Sequence, residues 1–122
     1  INKKIITFLG VTFKPNTDDM REASSLKMIP LLIKKGAYIR YHDPSGIKKE
    51  FKKYKQAVFY KDISKACLKS DLVIIHTEWN EFKTINFKKI VKKNNIKIYD
   101  MRNVYSPNKM KKNNIKYFSI GR

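Results

Sequence analysis

Six short apolar runs recur along the chain, and polar or helix-patterned segments separate them. Several of these runs are continuous rather than alternating, as in the Leu-Val-Ile-Ile sequence of residues 72–75. Continuous runs of this length indicate strands that are buried on both faces of a parallel sheet. The predicted strands are Lys4–Phe8, Tyr38–Tyr41, Ala57–Tyr60, Leu72–His76, Ile96–Asp100 and Tyr117–Ile120.

Helical patterns lie between the strands. The clearest is Ser25–Lys35, in which four apolar residues share one face. Gly36 follows it as a C-terminal stop, and Pro30 should kink it because proline lacks the N–H donor. Shorter helices are predicted at Gly46–Lys55, Ile63–Lys69 and Phe87–Lys93, with a final helical turn opening at Ser106-Pro107.

Alternating strands and helices predict the α/β class, with a Rossmann-like open parallel sheet of about six strands and helices on both faces. The length of 122 residues suits one domain, residues 1–122, and is too short for two. In such sheets ligands bind at the carboxyl ends of the strands, near the point where the strand order reverses. Functional residues are therefore expected in the loops that follow the strands.

Composition narrows the class of protein. There is no run of eighteen apolar residues, so no membrane span is expected. Cys67 is the only cysteine, which excludes an internal disulfide and fits a reducing compartment such as the cytoplasm. Residues 1–4 have neither a start methionine nor the layout of a signal peptide, which indicates a piece cut from a longer chain.

The net charge of +18 raises the question of nucleic-acid binding. Of the 28 basic residues only four are arginine, and the lysines are enriched together with asparagine and isoleucine. This pattern favours a compositional bias over a designed patch, so we expect no specific nucleic-acid partner. A weak attraction to polyanions is compatible with any function.

The first loop, Gly10–Glu22, is long and polar. It is not a dinucleotide fingerprint, because Gly10 stands without the second and third glycines. Lys14 and Arg21 suit a phosphate or carboxylate partner. The three carboxylates of the loop are better explained by helix capping and local salt bridges to Arg21 than by a metal site.

Other loop residues have structural explanations that compete with functional ones. Asp43 suits a turn or cap, and Trp79 with Phe82 suits a cover for the core rather than base stacking. Arg102 is a ligand candidate or, equally, the partner of an ion pair with Asp100. Cys67 lies on the apolar side of a predicted helix and is better explained by burial than by catalysis.

Five stretches together resemble the UDP-glucose/GDP-mannose dehydrogenase family, in its C-terminal UDP-binding domain. They occur in order and cover essentially the whole chain. Their residues are most similar to those of the UDP-glucose branch. The stretches are Gly10–Leu26, Gly36–Pro44, Ser70–Phe82 (ending HTEWNEF), Tyr99–Tyr105 (YDMRNVY) and Tyr117–Arg122 (YFSIGR).

The resemblance implies an enzyme that oxidises UDP-glucose to UDP-glucuronate with two NAD, and that works as a homodimer or higher homo-oligomer. By matching position, Phe13, Lys14 and Arg102 would contact the UDP-sugar. Arg21 would approach NAD held mainly by an N-terminal domain. The family's G-x-C-x-P-K-D motif is missing from this chain, so no catalytic residue is assigned and the chain alone should not catalyse the reaction.

Two other hypotheses about function stay open. The first keeps the family and changes the substrate to UDP-N-acetylmannosamine or GDP-mannose. The second is a stand-alone basic α/β domain that binds polyanions.

Overall fold

The computed structural model describes residues 1–91 and 96–120. Six strands and four helices alternate along this part of the chain. The strands are β1 Ile5–Leu9, β2 Tyr38–His42, β3 Ala57–Phe59, β4 Leu72–Ile75, β5 Lys97–Asp100 and β6 Lys116–Ser119. The helices are α1 Ser25–Lys34, α2 Ile63–Cys67, α3 Phe87–Val91 and α4 Pro107–Lys112, and 3₁₀ turns occur at Lys49–Phe51 and Asn80–Phe82.

The strands form one parallel sheet in the order β3-β2-β1-β4-β5-β6. The chain builds outward from β1 to β3, crosses back, and builds outward again from β4 to β6. The order therefore reverses between β1 and β4, where Leu9 is in register with Ile75. The loops that follow these two strands diverge at this point, which is the usual place for a ligand in an open α/β sheet.

Apolar side chains cover both faces of the sheet. On one face Phe8 and Ile39 pack against Ile29 of α1. On the other face Leu9 and Ile75 pack with Cys67 of α2, and the same cluster includes residues of α3 and α4. Burial on both sides explains why the central strands β1 and β4 are continuous apolar runs. The predicted α/β fold is confirmed, with boundaries that differ by one or two residues at most of the elements.

The predicted helix Gly46–Lys55 is wrong, because only the 3₁₀ turn Lys49–Phe51 forms there. The backbone of Lys48 is extended, and its N–H donates to the phenol oxygen of Tyr41 at 3.0 Å. Phe51 is 1% exposed, so the segment is fixed by one aromatic anchor rather than by a helical stripe. Tertiary contacts have overridden the local helix preference here.

The other helices agree with the prediction apart from their ends. Helix α1 continues through Pro30 to Lys34, and Gly36 stops it with a φ of +96°. Helix α2 ends at Cys67 rather than Lys69, since Leu68 turns to an extended conformation. The predicted end of α3 at Lys93 lies outside the described residues. The final helix opens at Ser106-Pro107 as predicted, and the Ser106 side chain caps it by accepting the N–H of Lys109.

In the part of the chain that the structure describes, no helix has the length and apolar character needed to cross a membrane.

Candidate functional site

The loop after β1 is built around a close approach to β4. Gly10 has a φ of +81°, and a Cβ placed on it would lie 2.6 Å from the Cβ of Thr77. Val11 and Thr12 are fully buried, whereas Phe13 is 44% exposed and Lys14 is also exposed. The loop therefore has a fixed inner part and presents Phe13 and Lys14 outward at the carboxyl edge of the sheet.

Asp43 anchors the inner part of this loop from the β2 side. One carboxylate oxygen accepts the N–H of Val11 at 2.8 Å and of Thr12 at 3.3 Å. The other accepts the N–H and the hydroxyl of Ser45. Asp43 is 1% exposed, so these donors replace the water that its charge has lost. The predicted turn role of Asp43 is correct, and it extends to the neighbouring loop.

The end of β4 anchors the same loop from the other side. The Thr77 hydroxyl donates to the carbonyl oxygen of Thr12 at 2.8 Å, and the Trp79 indole N–H donates to the Thr12 hydroxyl at 3.3 Å. Trp79 and Phe82 are buried in the core cluster, which supports the interpretation of these aromatic residues as a cover for the core.

His76 is a fully buried polar junction. Its Nε2 accepts the N–H of Ser25 at 3.1 Å and lies 2.9 Å from the Ser24 hydroxyl. Its Nδ1 lies 2.9 Å from the Thr77 hydroxyl, which has already given its proton to Thr12, so Nδ1 carries the hydrogen. Burial, helped by the charge of Arg102 and opposed by that of Asp43, lowers the pKa of His76 to about 4. His76 is therefore neutral, and it joins the start of α1 to the end of β4.

Arg102 reaches the same place from β5. Its Nε donates to the carbonyl oxygen of His76 at 2.9 Å, while its backbone N–H donates to Asp100. The alternative of an ion pair between Arg102 and Asp100 is wrong, because the Asp100 carboxylate is occupied by backbone N–H groups and the Tyr117 hydroxyl. Among the described residues, the two terminal nitrogens of Arg102 have no hydrogen-bond partner. They remain available to an anion.

Arg21 lies on the outer part of the first loop. It forms a salt bridge of 3.0 Å with Asp19, and its side chain is 88% exposed. The hydrogen bonds from Arg21 lower the pKa of Asp19 to about 2. Arg21 lines a polar cleft with Lys48 and Glu50, in which Phe13, Lys14 and Arg102 take no part. The structure thus places Lys14 and Arg102 on loops that are anchored at the end of β4. Arg21 and its partner Asp19 lie on the outer part of the first loop, where the charge of Lys14 also acts on Asp19.

The predicted local salt bridge to Arg21 is confirmed, but helix capping by the loop carboxylates is wrong. Helix α1 has Ser24 at its N-cap and no acidic residue in its first turn. Glu22 adopts a φ of 62°, which turns the chain before the helix begins. Asp19, through its bonds with Arg21, therefore stabilises the loop rather than the helix end.

No group of three His, Cys, Asp or Glu side chains suited to a metal ion occurs within the described residues. Cys67 is fully buried, and burial raises the pKa of its thiol to about 12 in spite of the nearby charge of Arg40. Its predicted burial is confirmed.

The sequence does not reveal the residues that position the loop. Thr12 and Thr77 are threonines next to apolar strands, and the sequence pattern predicts only that His76 ends a strand. The available signal was the location of polar residues directly after buried strands, where a backbone turn needs partners for its N–H and C=O groups.

Comparison with known proteins identifies the family of the chain. Residues 7–107 match the family model described as "UDP-glucose/GDP-mannose dehydrogenase family, UDP binding domain". The chain belongs to this family and corresponds to its UDP-binding domain.

Two relatives in sequence are UDP-glucose 6-dehydrogenases. UDP-glucose 6-dehydrogenase of Rickettsia prowazekii is 34% identical over 121 residues, and the match covers 95% of this chain and 27% of the relative. UDP-glucose 6-dehydrogenase TuaD of Bacillus subtilis is 35% identical over 126 residues, covering 100% of this chain and 27% of the relative. The chain thus spans about a quarter of the length of these relatives.

Solved structures have the same fold. A UDP-glucose dehydrogenase from Pyrobaculum islandicum superposes with a TM-score of 0.76 at 24% identity, covering 99% of this chain and 26% of that one. The UDP-D-ManNAc dehydrogenase of Pyrococcus horikoshii gives a TM-score of 0.77 at 26% identity, with 99% and 26% covered.

Proposed function

We propose that this chain is the nucleotide-sugar-binding part of an NAD-dependent UDP-glucose 6-dehydrogenase, and that residues 1–122 act as one binding unit. In this proposal Phe13, Lys14 and Arg102 contact the UDP-sugar. The observation that supports it is the anchoring of two cation-bearing loops to adjacent residues, His76 and Thr77, at the strand-order reversal. Lys14 extends from the loop to which the Thr77 hydroxyl donates a hydrogen bond. Arg102 donates a hydrogen bond to the carbonyl oxygen of His76, the residue directly before Thr77.

The chemistry of the two cations suits a diphosphate. One hydrogen bond from Nε orients the Arg102 side chain. Its terminal N–H groups remain available to other acceptors. A guanidinium of this kind forms paired, charge-assisted hydrogen bonds to phosphate oxygens. Lys14 adds a point charge on a flexible stem, and the exposed ring of Phe13 offers an apolar surface to the base or sugar.

We expect this chain to contact NAD at its surface and not to hold it in a dinucleotide-binding loop. At a dinucleotide-binding loop the backbone N–H groups after β1 face the pyrophosphate. Here the N–H groups of Val11 and Thr12 are bound by Asp43, and Thr77 fills the space beside Gly10. NAD supplies the hydride acceptor when it is bound. We propose that Arg21, exposed on the outer loop, approaches NAD held by another part of the enzyme.

The chain's own residues bind and orient the substrate rather than react with it. Cys67 is buried and its raised thiol pKa keeps it protonated, so it supplies no nucleophile. The reactive groups of the dehydrogenase would come from the remaining length of the enzyme, which would also form its oligomer.

Calorimetry of the 122-residue chain with UDP, UDP-glucose and GDP, at low and high salt, tests the proposal. We expect saturable binding that prefers uridine. Lys14→Ala and Arg102→Ala should each weaken binding about tenfold, the loss typical of one charge-assisted contact. Arg21→Ala should leave UDP binding nearly unchanged.

Lys116→Ala is the matched control, because it removes the same charge at the start of β6, on the opposite edge of the sheet. Equal effects of Lys14→Ala and Lys116→Ala, with no preference for uridine and complete loss at high salt, would contradict the proposal. That result would instead favour general binding of polyanions through the net charge of +18.

A further inference from the structure

Thr12 is buried directly before the two exposed residues of the candidate site. It is 0% exposed, whereas Phe13 is 44% exposed. All of its polar groups are hydrogen-bonded: the N–H donates to Asp43, and the carbonyl accepts from Thr77 at 2.8 Å. The Thr12 backbone is therefore held between the ends of β2 and β4.

The Thr12 side chain passes this constraint on to Lys14. Its hydroxyl accepts the indole N–H of Trp79 and donates to the carbonyl oxygen of Lys14 at 3.0 Å. The hydrogen bond from the Thr12 hydroxyl to the Lys14 carbonyl closes a turn with Phe13 at its centre. The N–H of Phe13 donates to the carbonyl oxygen of Asp19 on the other side of the loop. The two exposed side chains thus start from a backbone that is fixed at both sides.

A fixed backbone favours binding because the loop does not lose that freedom when the ligand arrives. The same residues on a loose loop would have to be ordered by the ligand. Ordering one backbone residue shifts an equilibrium by about fivefold to thirtyfold. The geometry around Thr12 is sufficient for an effect of this size on nucleotide affinity.

We infer that Thr12 is a positioning residue for the nucleotide: its hydroxyl, set by Trp79, fixes the Lys14 peptide so that Phe13 and Lys14 face the nucleotide diphosphate. This inference rests on the proposed function. Thr12 does not touch the ligand and acts only through the loop that it holds.

Thr7 provides a matched control within the same strand-loop unit. It is also 0% exposed, and its hydroxyl donates to the carbonyl of Ala66 at 2.7 Å and lies 2.5 Å from the Ser70 hydroxyl. Thr7→Val and Thr12→Val therefore delete the same buried hydroxyl chemistry, one in the middle of β1 and one at the candidate site. A purely structural role for Thr12 would make the two variants behave alike.

The experiment measures the UDP dissociation constant and the urea unfolding midpoint for Thr12→Val, Thr12→Ser and Thr7→Val. We expect Thr12→Val to weaken UDP binding about tenfold, while Thr12→Ser, which keeps the hydroxyl, stays within about threefold of the unchanged chain. Thr7→Val should lose stability and keep its affinity. Thr12→Ala gives a second reading of the lost hydroxyl if Thr12→Val does not fold.

The same substitutions in a Lys14→Ala background separate the two proposals. If Thr12 acts through Lys14, Thr12→Val should weaken binding much less when Lys14 is already absent. Full affinity in Thr12→Val, or equal affinity in Thr12→Val and Thr7→Val, would overturn the role of Thr12 and leave the proposed function standing. Binding that does not depend on Lys14 at all would overturn both.

Discussion

Gly10 and Thr77 approach each other so closely that a Cβ on Gly10 would lie 2.6 Å from the Cβ of Thr77 and 2.9 Å from its hydroxyl oxygen. This contact lies at the strand-order reversal and brings the loop after β1 within reach of the Thr77 hydroxyl. The absence of a side chain at residue 10 is therefore a requirement of the site as well as of the backbone, whose φ is +81°.

Gly10→Ala should lower the free energy of unfolding by about 3 kcal/mol, since it adds a clash to an unfavourable positive φ. Gly46→Ala is the control, because Gly46 has a φ of +100° and no atom within 4 Å of a new Cβ. It should cost only about 1 kcal/mol. Urea unfolding of both variants measures the difference, and equal losses would mean that Thr77 yields without cost.

Asp43→Asn should destabilise the chain by about 2 kcal/mol. An amide presents only one acceptor oxygen, so its NH₂ group must face either the N–H groups of Val11 and Thr12 or the N–H of Ser45. Thermal and urea unfolding measure the loss.

Asp62→Asn serves as the comparison for this prediction. Asp62 caps α2 by accepting the N–H of Lys65, and asparagine caps helices about as well as aspartate. Its cost should stay below about 0.5 kcal/mol. If Asp43→Asn were as mild as Asp62→Asn, the buried carboxylate would not be what holds the loop.

The stability of the chain should depend on pH through His76. Its pKa is about 4 in the folded state and near 6.5 when unfolded, so the unfolded state takes up a proton first as the pH falls. The contribution of His76 is complete above pH 6.5 and is lost between pH 6.5 and about 4, at about 1.4 kcal/mol per pH unit.

Unfolding of His76→Gln between pH 7 and 4 isolates this effect, because glutamine retains an acceptor near Nε2 and does not titrate. The difference between the unchanged chain and His76→Gln should narrow or reverse as the pH falls. His42→Gln keeps His76 in place and should preserve the pH dependence. A pH profile unaffected by His76→Gln would contradict the neutral, buried state of this histidine.

Cys67 should be unreactive towards thiol reagents in the folded chain. Burial raises its thiol pKa to about 12, and its side chain has no exposed surface. Since the thiolate is the reactive species, the rate of labelling near neutral pH should follow the fraction of unfolded chain. Labelling with an aromatic disulfide reagent across a urea series gives this rate, and rapid labelling without urea would show that the helix α2 region opens locally.

The sequence was sufficient for the fold because the central strands β1 and β4 are buried on both faces. Short runs rich in β-branched residues, such as Leu72–Ile75, favour a buried strand over a helix, and Gly36 and Ser106 mark helix ends by well-understood backbone chemistry. The failure at Gly46–Lys55 has the opposite cause. There the N–H of Lys48 and the ring of Phe51 are claimed by tertiary partners that no local pattern reveals.

The candidate site could be predicted only for its outward-facing residues. Lys14 and Arg102 stand out because cations in loops after strands suit phosphate. The supporting hydrogen bonds of Thr12, Thr77 and His76 join segments more than fifty residues apart, so their roles depend on the strand order. The Arg102 side chain illustrates the limit: its neighbour in sequence, Asp100, is not its partner, and the carbonyl of His76 is.

The strand order also divides the chain into two pieces, each of which forms half of the sheet. Strands β1 to β3 come from residues 5–59 and strands β4 to β6 from residues 72–119. Among the described residues, the β1–β4 ladder is the only strand pairing that joins these two parts of the sheet. Phe13 and Lys14 belong to the first piece and Arg102 to the second. A chain cleaved between Tyr60 and Asp62 would carry Phe13 and Lys14 on one fragment and Arg102 on the other. Recovery of UDP binding on mixing would then report that the β1–β4 ladder and the hydrogen bonds beside it had formed again.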